Sequence, residues 1–312
     1  MLLLFILLYI FDVIILSFGV LSNLANATVF LLLGLRDSFG ITFFVLTLAD
    51  LAYAVLFLTH ILLRLVAHVG LSSSAPLVPV AYLMSQYAST LFDISVVLTV
   101  LLAVQKCCCV SMPLKFKNVF TTSRTLFMIS CISVLIVATN LPILSTQGLV
   151  TKNDYITNSS SEALWFSKDR PVVTAIHEVG NRIVLPIASV CVVCSCLFVL
   201  IPNLKRSMNF RSSFKLTSDP RVLRIENQVT KAVMSVSAIF VLCNLPIVAR
   251  ATASLVEREF NDMRRHGYMF VAVENIRQTC LNLNCALNIF AYLAFNSNYR
   301  ARFMSLFCDR KG

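Results

Sequence analysis

The chain has 312 residues, of which 58% are hydrophobic and 13% are charged, and its net charge is +11. Soluble domains contain about 25% charged residues, so this composition excludes a soluble globular protein and places the chain in a lipid bilayer. We expect the excess positive charge to mark a cytoplasmic membrane face rather than a nucleic-acid-binding surface.

The hydrophobic residues are concentrated in long segments. Each segment is long enough to cross roughly 30 Å of hydrocarbon as a helix. They predict seven transmembrane helices, at residues 2–35, 41–67, 79–104, 126–144, 172–201, 230–253 and 268–295. The predicted fold is therefore an all-α seven-transmembrane helix bundle, with residues 1–312 forming a single domain.

The basic residues between the segments indicate the orientation of the chain. With the N-terminus outside, the inner connections hold most of the lysines and arginines and few acidic residues. This is the usual asymmetry of a membrane protein. Asn158-Ser159-Ser160, in a predicted outer connection, is an acceptor sequence for N-glycosylation, which agrees with that orientation. We expect a multi-pass plasma-membrane protein that is glycosylated at Asn158.

Polar residues inside the bilayer are costly and are therefore candidate functional residues. Asp50 lies in the second segment, and Asn23, Ser95, Asn284 and Asn288 lie at a similar depth in other segments. Asn284 and Asn288 share a helix face. Their oxygen atoms, with those of Asp50 and Ser95, suit a sodium ion. The alternative is a structural hydrogen-bond network, and no other cofactor is predicted.

Short motifs occur in a fixed order along the predicted helices. They are Ser22-Asn23, Leu46-Thr47-Leu48-Ala49-Asp50, Pro186, then Phe240, Cys243, Asn244 and Pro246, then Asn284-Cys285 and Asn288-Ile289-Phe290-Ala291-Tyr292. This set resembles the rhodopsin-like (class A) G-protein-coupled receptors, although Asn244 replaces a tryptophan and Ile289 a proline. Stretches such as ENQVTKAVMSVSAIFVLCNLP are similar to an invertebrate branch, the molluscan chemosensory and FMRFamide-type peptide receptors.

The resemblance implies a receptor, not an enzyme, that binds an extracellular small molecule or peptide and activates a heterotrimeric G protein. Chemosensory reception is favoured, and an FMRFamide-like neuropeptide receptor is the alternative. The other implied partner is membrane lipid, and nucleic acid is not one. A transporter or channel would show internal repeats, which the sequence lacks. A receptor-like protein that does not signal is a further alternative.

In the resembled family the third helix ends in Asp/Glu-Arg-Tyr, with a proline seven residues after the arginine. Gln105-Lys106-Cys107 takes that position before Pro113, so the acid is missing. The family's arginine also pairs with a glutamate twenty residues before the sixth-helix proline, which corresponds to Glu226. The implied activation switch consists of Lys106, Glu226, Phe240, Pro246, Asn288 and Tyr292. The alternative is that Lys106 extends to the lipid headgroups.

The outer halves of the predicted helices carry polar residues, several at same-face spacings that could line one cavity. The ligand-binding candidates are His60, Arg64, Gln86, His177, Glu178, Arg182, Asn244, Glu274, Arg277 and Gln278. Arg250 lies in the same half of the bundle. The arginines favour a ligand with a carboxylate or another anionic group. The family's amine receptors have an aspartate where this chain has Ala88, which argues against a biogenic amine.

Two further features concern the ends of the helices. The family's disulfide at the start of the third helix is absent, with Ala81 in the cysteine position, so we expect a mobile outer loop after the fourth helix. Residues 298–307 predict a short amphipathic eighth helix at the membrane interface. Cys308, which follows it, is a candidate for lipidation.

Overall fold

The computed structural model describes residues 2–69, 77–154, 159–213, 220–257, 259, 265 and 267–307. Its first helices are α1 (Leu2–Leu33), α2 (Ser38–Val69), α3 (Leu77–Ser111), α4 (Pro113–Val119) and α5 (Thr122–Ser145). Strands β1 (Gln147–Asp154) and β2 (Ser159–Phe166) follow. The remaining elements are α6 (Arg170–His177), a π-helical segment (Glu178–Val184), α7 (Leu185–Ser213), α8 (Pro220–Val256), α9 (Gly267–Phe295) and α10 (Ser297–Phe307).

The long helices form one bundle with α3 at its centre. α3 packs against α2, α5, α7 and α8, while α1 packs against α2 and α9. One apolar cluster contains buried Leu16, Phe92 and Phe240, and a second contains Phe30 and Leu98. These two clusters hold the bundle together along its length, because close contacts between buried side chains of neighbouring helices stabilise their packing.

Within the described residues, six helical stretches are long and apolar enough to cross a membrane. They are Tyr9–Leu33, Ser38–Val69, Leu77–Ser111, Thr122–Ser145, Arg170–Asn203 and Gln228–Val256. α9 is 29 residues long but is richer in polar side chains, and it does not reach that composition. Length and composition therefore support six of the seven predicted spans.

The helix boundaries differ from the predicted segments in ways that affect the functional residues. α3 continues to Ser111, well past residue 104, so Gln105 and Lys106 lie within the helix. α1 ends at Leu33 because Gly34 has a φ of 84°, a left-handed conformation that terminates helices. The helix from Arg170 to Ser213 contains the π-helical segment, where the extra residue per turn rotates the following side chains.

The predicted outer loop between α5 and α6 forms an antiparallel β-hairpin, in which Gln147 pairs with Phe166 and Asp154 with Ser159. The guanidinium carbon of Arg170 lies 4.4 Å from the ring centroid of Phe166, and Nη2 donates a hydrogen bond of 2.6 Å to Tyr82 Oη on α3. These contacts attach the hairpin to α3 without a disulfide.

Candidate functional site

Buried polar side chains occupy three levels of the bundle, between the end that carries the β-hairpin (the hairpin end) and the end that carries α10 (the α10 end). Their burial is informative, because polar groups in an apolar bundle are stable only when they are hydrogen-bonded or paired. Each level connects helices that lie far apart in the sequence.

At the hairpin end, five side chains form what we call the hairpin-end cluster: Glu178, Arg250, Glu274, Arg277 and Gln278. Arg250 Nη2 lies 3.9 Å from Glu178 Oε2, and its Nε lies 3.4 Å from Glu274 Oε2. Arg277 donates from Nε to Glu274 Oε2 over 2.9 Å and also bonds Glu274 Oε1 through Nη2. The same Nη2 donates to Gln278 Oε1 over 3.3 Å. The cluster therefore joins the π-helical segment, α8 and α9.

The hairpin-end cluster continues to α1 and α2 through hydrogen bonds. Gln278 Nε2 donates to Tyr53 Oη over 2.8 Å, and Tyr53 Oη donates to Asn282 Oδ1 over 2.5 Å. Asn282 Nδ2 in turn donates to Asp12 Oδ1 over 3.0 Å. Asp12, Tyr53 and Asn282 were not among the residues predicted from the sequence. Asp12 could have been found, because it is an ionisable residue within the first apolar segment.

A second group of polar side chains surrounds Asp93 of α3. Arg182 Nη1 lies 3.7 Å from Asp93 Oδ1, and Asn140 Nδ2 donates to Asp93 Oδ2 over 3.2 Å. His177 Nε2 lies 3.0 Å from Asn140 Oδ1. Glu178 and Arg182 are four residues apart but contact different helices, since they lie in the π-helical segment. Four elements thus meet at Asp93.

The remaining ligand-binding candidates do not join these two groups. His60 Nδ1 lies 2.7 Å from the Ala81 carbonyl oxygen, so this histidine attaches α2 to the start of α3. Arg64 is exposed and Gln86 is half-buried. Asn244 is fully buried and donates to the Phe240 carbonyl of its own helix, whereas its Oδ1 has no hydrogen-bond partner among the described residues.

At the middle level, Asp50 is buried between α3 and α9. Ser95 Oγ donates to Asp50 Oδ1 over 2.5 Å, and Asn288 Nδ2 donates to Asp50 Oδ2 over 2.9 Å. Asn23 of α1 donates to the Cys285 carbonyl over 3.1 Å, next to this site. Asn284 is buried, but it makes no hydrogen bond to Asp50 within the described part of the chain. Three of the four predicted sodium ligands therefore meet.

Towards the α10 end, four neutral side chains form what we call the Gln105 network: Ser38, Thr42, Gln105 and Thr125. All four are buried. Gln105 Oε1 accepts from Thr42 Oγ1 over 3.1 Å, and its Nε2 donates to Ser38 Oγ over 3.1 Å. Thr125 Oγ1 donates to Ser38 Oγ over 3.0 Å. The network connects α2, α3 and α5 at the position where the resembled family has an acid.

Lys106 lies next to the Gln105 network and is only 1% exposed, so it does not extend to the headgroups. Its ammonium group lies 5.1 Å from the centroid of the Phe39 ring on α2, a cation–π contact. Glu226 lies in α8, but its side chain falls outside the described residues, so the predicted Lys106–Glu226 pair stays a prediction.

The other predicted switch residues lie in the core. Phe240 and Tyr292 are buried, and Pro246 lies inside α8. The Tyr292 ring lies edge-on to those of Phe30 and Phe43, with centroids 5.1 and 5.2 Å away. Pro246 cannot donate a backbone hydrogen bond and so weakens α8 there.

The short helix α10 is attached to the bundle by hydrogen bonds to α1 and α8. Tyr299 Oη donates to Asn26 Oδ1 of α1 over 2.5 Å, and Ser297 Oγ donates to Gln228 Oε1 of α8 over 2.5 Å. The predicted modification residues Asn158 and Cys308 lie outside the described residues.

Comparison with known proteins identifies the family. The model of the family described as "Serpentine type 7TM GPCR chemoreceptor Srx" matches residues 13–224, which run from α1 into α8. No curated protein matches the chain. A match of this extent, on a bundle with six helices of membrane-spanning composition, makes the protein a multi-pass receptor of the GPCR type. The chain belongs to the Srx family of serpentine seven-transmembrane GPCR chemoreceptors.

Proposed function

We propose that this protein is a chemosensory receptor of the plasma membrane that binds an external chemical at the hairpin end and activates a heterotrimeric G protein at the α10 end. The N-terminus then lies outside, and α9 is the seventh span. The observation that carries the proposal is the hairpin-end cluster. Arg250 and Arg277 of this cluster are buried, and buried charges are expensive in a membrane protein and mark a functional site by default.

The connectivity of the polar groups supports a role in signalling. The hairpin-end cluster touches the π-helical segment and α8, and α8 contains the Pro246 irregularity. A ligand that binds the cluster can therefore shift the relative positions of these helices. Such a shift requires that the ligand bind one arrangement of the bundle more tightly than the other. In a seven-helix receptor, this helix movement can be transmitted to the opposite membrane face, where the G protein binds.

Several features of the α10 end suit a cytoplasmic face. α10 exposes Arg300 and Arg302, and Arg124 at the start of α5 is also exposed. Basic residues of this kind favour the cytoplasmic side and anionic headgroups. In this orientation α10 lies at the membrane interface, Cys308 can be lipidated, and Asn158 lies on the glycosylated side. The assignment to the rhodopsin-like class and to its molluscan or FMRFamide-type branch rests on the sequence motifs alone.

The Asp50 site has a composition that fits sodium, which binds carboxylate, hydroxyl and amide oxygens. Asn288 presents its amide nitrogen to Asp50, while its Oδ1 is buried without a hydrogen-bond partner among the described residues. A half-turn of the amide would bring that oxygen towards an ion held by Asp50 and Ser95. Asn284 would complete the set from the same face of α9.

We expect the purified receptor in lipid nanodiscs to accelerate nucleotide exchange on at least one class of Gα protein, even without a ligand. Replacement of Lys106 by alanine should change this basal rate by up to about fivefold, because contacts worth roughly 1 kcal/mol shift a two-state equilibrium by that factor. Receptor-free nanodiscs are the control. If neither form exceeds that control with any Gα class, and ligand screening adds no signal, the signalling proposal is wrong.

A further inference from the structure

The three arginines at the hairpin end differ in how completely they are paired. Arg277 makes charge-assisted hydrogen bonds to both carboxylate oxygens of Glu274 and a bond to Gln278. Arg182 pairs with Asp93, whose side chain is only 4% exposed, so this pair is enclosed within the protein. Arg182 is therefore paired with a buried carboxylate, and Arg277 with a carboxylate that it contacts through two nitrogen atoms.

Arg250 is different. Its side chain is 10% exposed, and like Arg182 it makes no hydrogen bond within the described residues, but its Nε is in addition buried without a hydrogen-bond partner there. Its two acidic neighbours lie 3.9 and 3.4 Å away, with side-chain exposures of 50% for Glu178 and 36% for Glu274. A guanidinium group binds a carboxylate best through two short, parallel N–H···O bonds, which neither neighbour provides. Arg250 is thus a buried cation with unused donors.

We propose that Arg250 binds the carboxylate, or a similar anionic group, of the chemical that the receptor detects, and that Glu178 occupies this position until the ligand displaces it. This inference rests on the proposed function, because it specifies the ligand class of the same site. It also selects Arg250, which is not among the ligand-binding candidates predicted from the sequence.

The charges support this exchange. The hairpin-end cluster and the Asp93 group together hold three guanidinium groups, of Arg182, Arg250 and Arg277, and three carboxylates, of Asp93, Glu178 and Glu274. Glu178 is the most exposed of these carboxylates, so it can turn towards water at little cost. One positive charge then remains uncompensated, and a single anionic ligand group neutralises it. The Phe270 ring, 5.8 Å from the Arg250 guanidinium, offers a contact for an apolar ligand portion.

The test is a chemical rescue that needs neither the natural ligand nor a G protein. The thermal midpoint of the purified, full-length receptor is measured in increasing sodium acetate and, in parallel, in equal concentrations of sodium chloride. The matched sodium keeps any effect at Asp50 the same in both series. The variants are Glu178→Gln, which removes the competing carboxylate, and Glu178→Gln combined with Arg250→Gln. Lys168→Gln removes an exposed charge at the hairpin end and is the matched control.

Acetate should stabilise Glu178→Gln more than chloride does, with an apparent Kd up to about fivefold lower than in the wild type, since the lost ion pair is worth at most about 1 kcal/mol. The double variant should show no difference between the two salts, and Lys168→Gln should match the wild type. Arg250→Met serves in place of Arg250→Gln if the latter does not fold. Equal effects of acetate and chloride on Glu178→Gln, or an acetate effect that survives the loss of Arg250, would overturn the proposal. Because the readout is binding, its failure is separate from a failure to activate G proteins.

Discussion

Replacement of Gln105 by leucine should lower the stability of the receptor by about 1–3 kcal/mol, because two buried hydrogen bonds between α3 and α2 are lost. Gln105 uses both ends of its amide, accepting from Thr42 and donating to Ser38. Leucine has a similar volume but replaces neither bond. The effect should be independent of ionic strength, since none of the four side chains in the Gln105 network is charged. Thermal denaturation at low and high salt measures both statements.

A matched control lies on the same helix. Thr90 of α3 is buried, and among the described residues its hydroxyl bonds only the Gln86 carbonyl of its own turn, over 3.3 Å. Thr90→Val should therefore cost less than Gln105→Leu, because no bond between helices is lost. Gln105→Glu keeps an acceptor for Thr42 but loses the donor to Ser38 and buries a charge, so it should also be destabilising. Equal stabilities of Gln105→Leu and Thr90→Val would show that the Gln105 network does not hold these helices together.

Replacement of Arg182 by leucine should be the most destabilising change at the hairpin end, at about 3 kcal/mol, because it leaves the Asp93 carboxylate buried without its cation. Asp93 then retains the hydrogen bond from Asn140. Adding Asp93→Asn removes the unpaired negative charge. The double variant should therefore recover more than half of the stability that Arg182→Leu loses. This recovery in a double-mutant comparison distinguishes the ion pair from a simple loss of packing.

The control for this prediction is Arg302→Leu, which removes an exposed arginine from α10 and should cost less than about 0.5 kcal/mol. The measurement compares the thermal midpoints of four proteins in one detergent: the wild type, Arg182→Leu, the double variant and Arg302→Leu. An Arg182→Leu variant as stable as Arg302→Leu would mean that Asp93 is not paired in the folded receptor.

The helices could be predicted from the sequence because long apolar segments have few alternatives in a bilayer, where every backbone group must be satisfied internally. The hairpin could not be predicted in this way, because its residues show no strong alternation of apolar and polar side chains. It is also attached through Arg170, which follows the hairpin in the chain. The absence of a cysteine at Ala81 suggested a mobile loop. The compensating contacts of Arg170 with Tyr82 and Phe166 depend on three-dimensional proximity.

The candidate site was predictable only in part, for a similar reason. Spacing along α9 places Glu274, Arg277 and Gln278 close together, since residues three and four apart are neighbours on a helix. The partners of Asp93 come from α5 and the π-helical segment, and a π-helical turn disrupts the rule that residues four apart share a face. Gln105 stands where the resembled family has an acid, but its structural role comes from its hydrogen bonds to α2.

The most direct test of the receptor assignment is the formation of a complex with a G protein. The wild-type receptor in nanodiscs is mixed with nucleotide-free heterotrimers of each Gα class and analysed by size-exclusion chromatography. We predict a stable complex with at least one class, which a non-hydrolysable GTP analogue dissociates. The absence of any complex, for a receptor that is folded by thermal denaturation, would contradict the proposal that this member of the Srx family signals through G proteins.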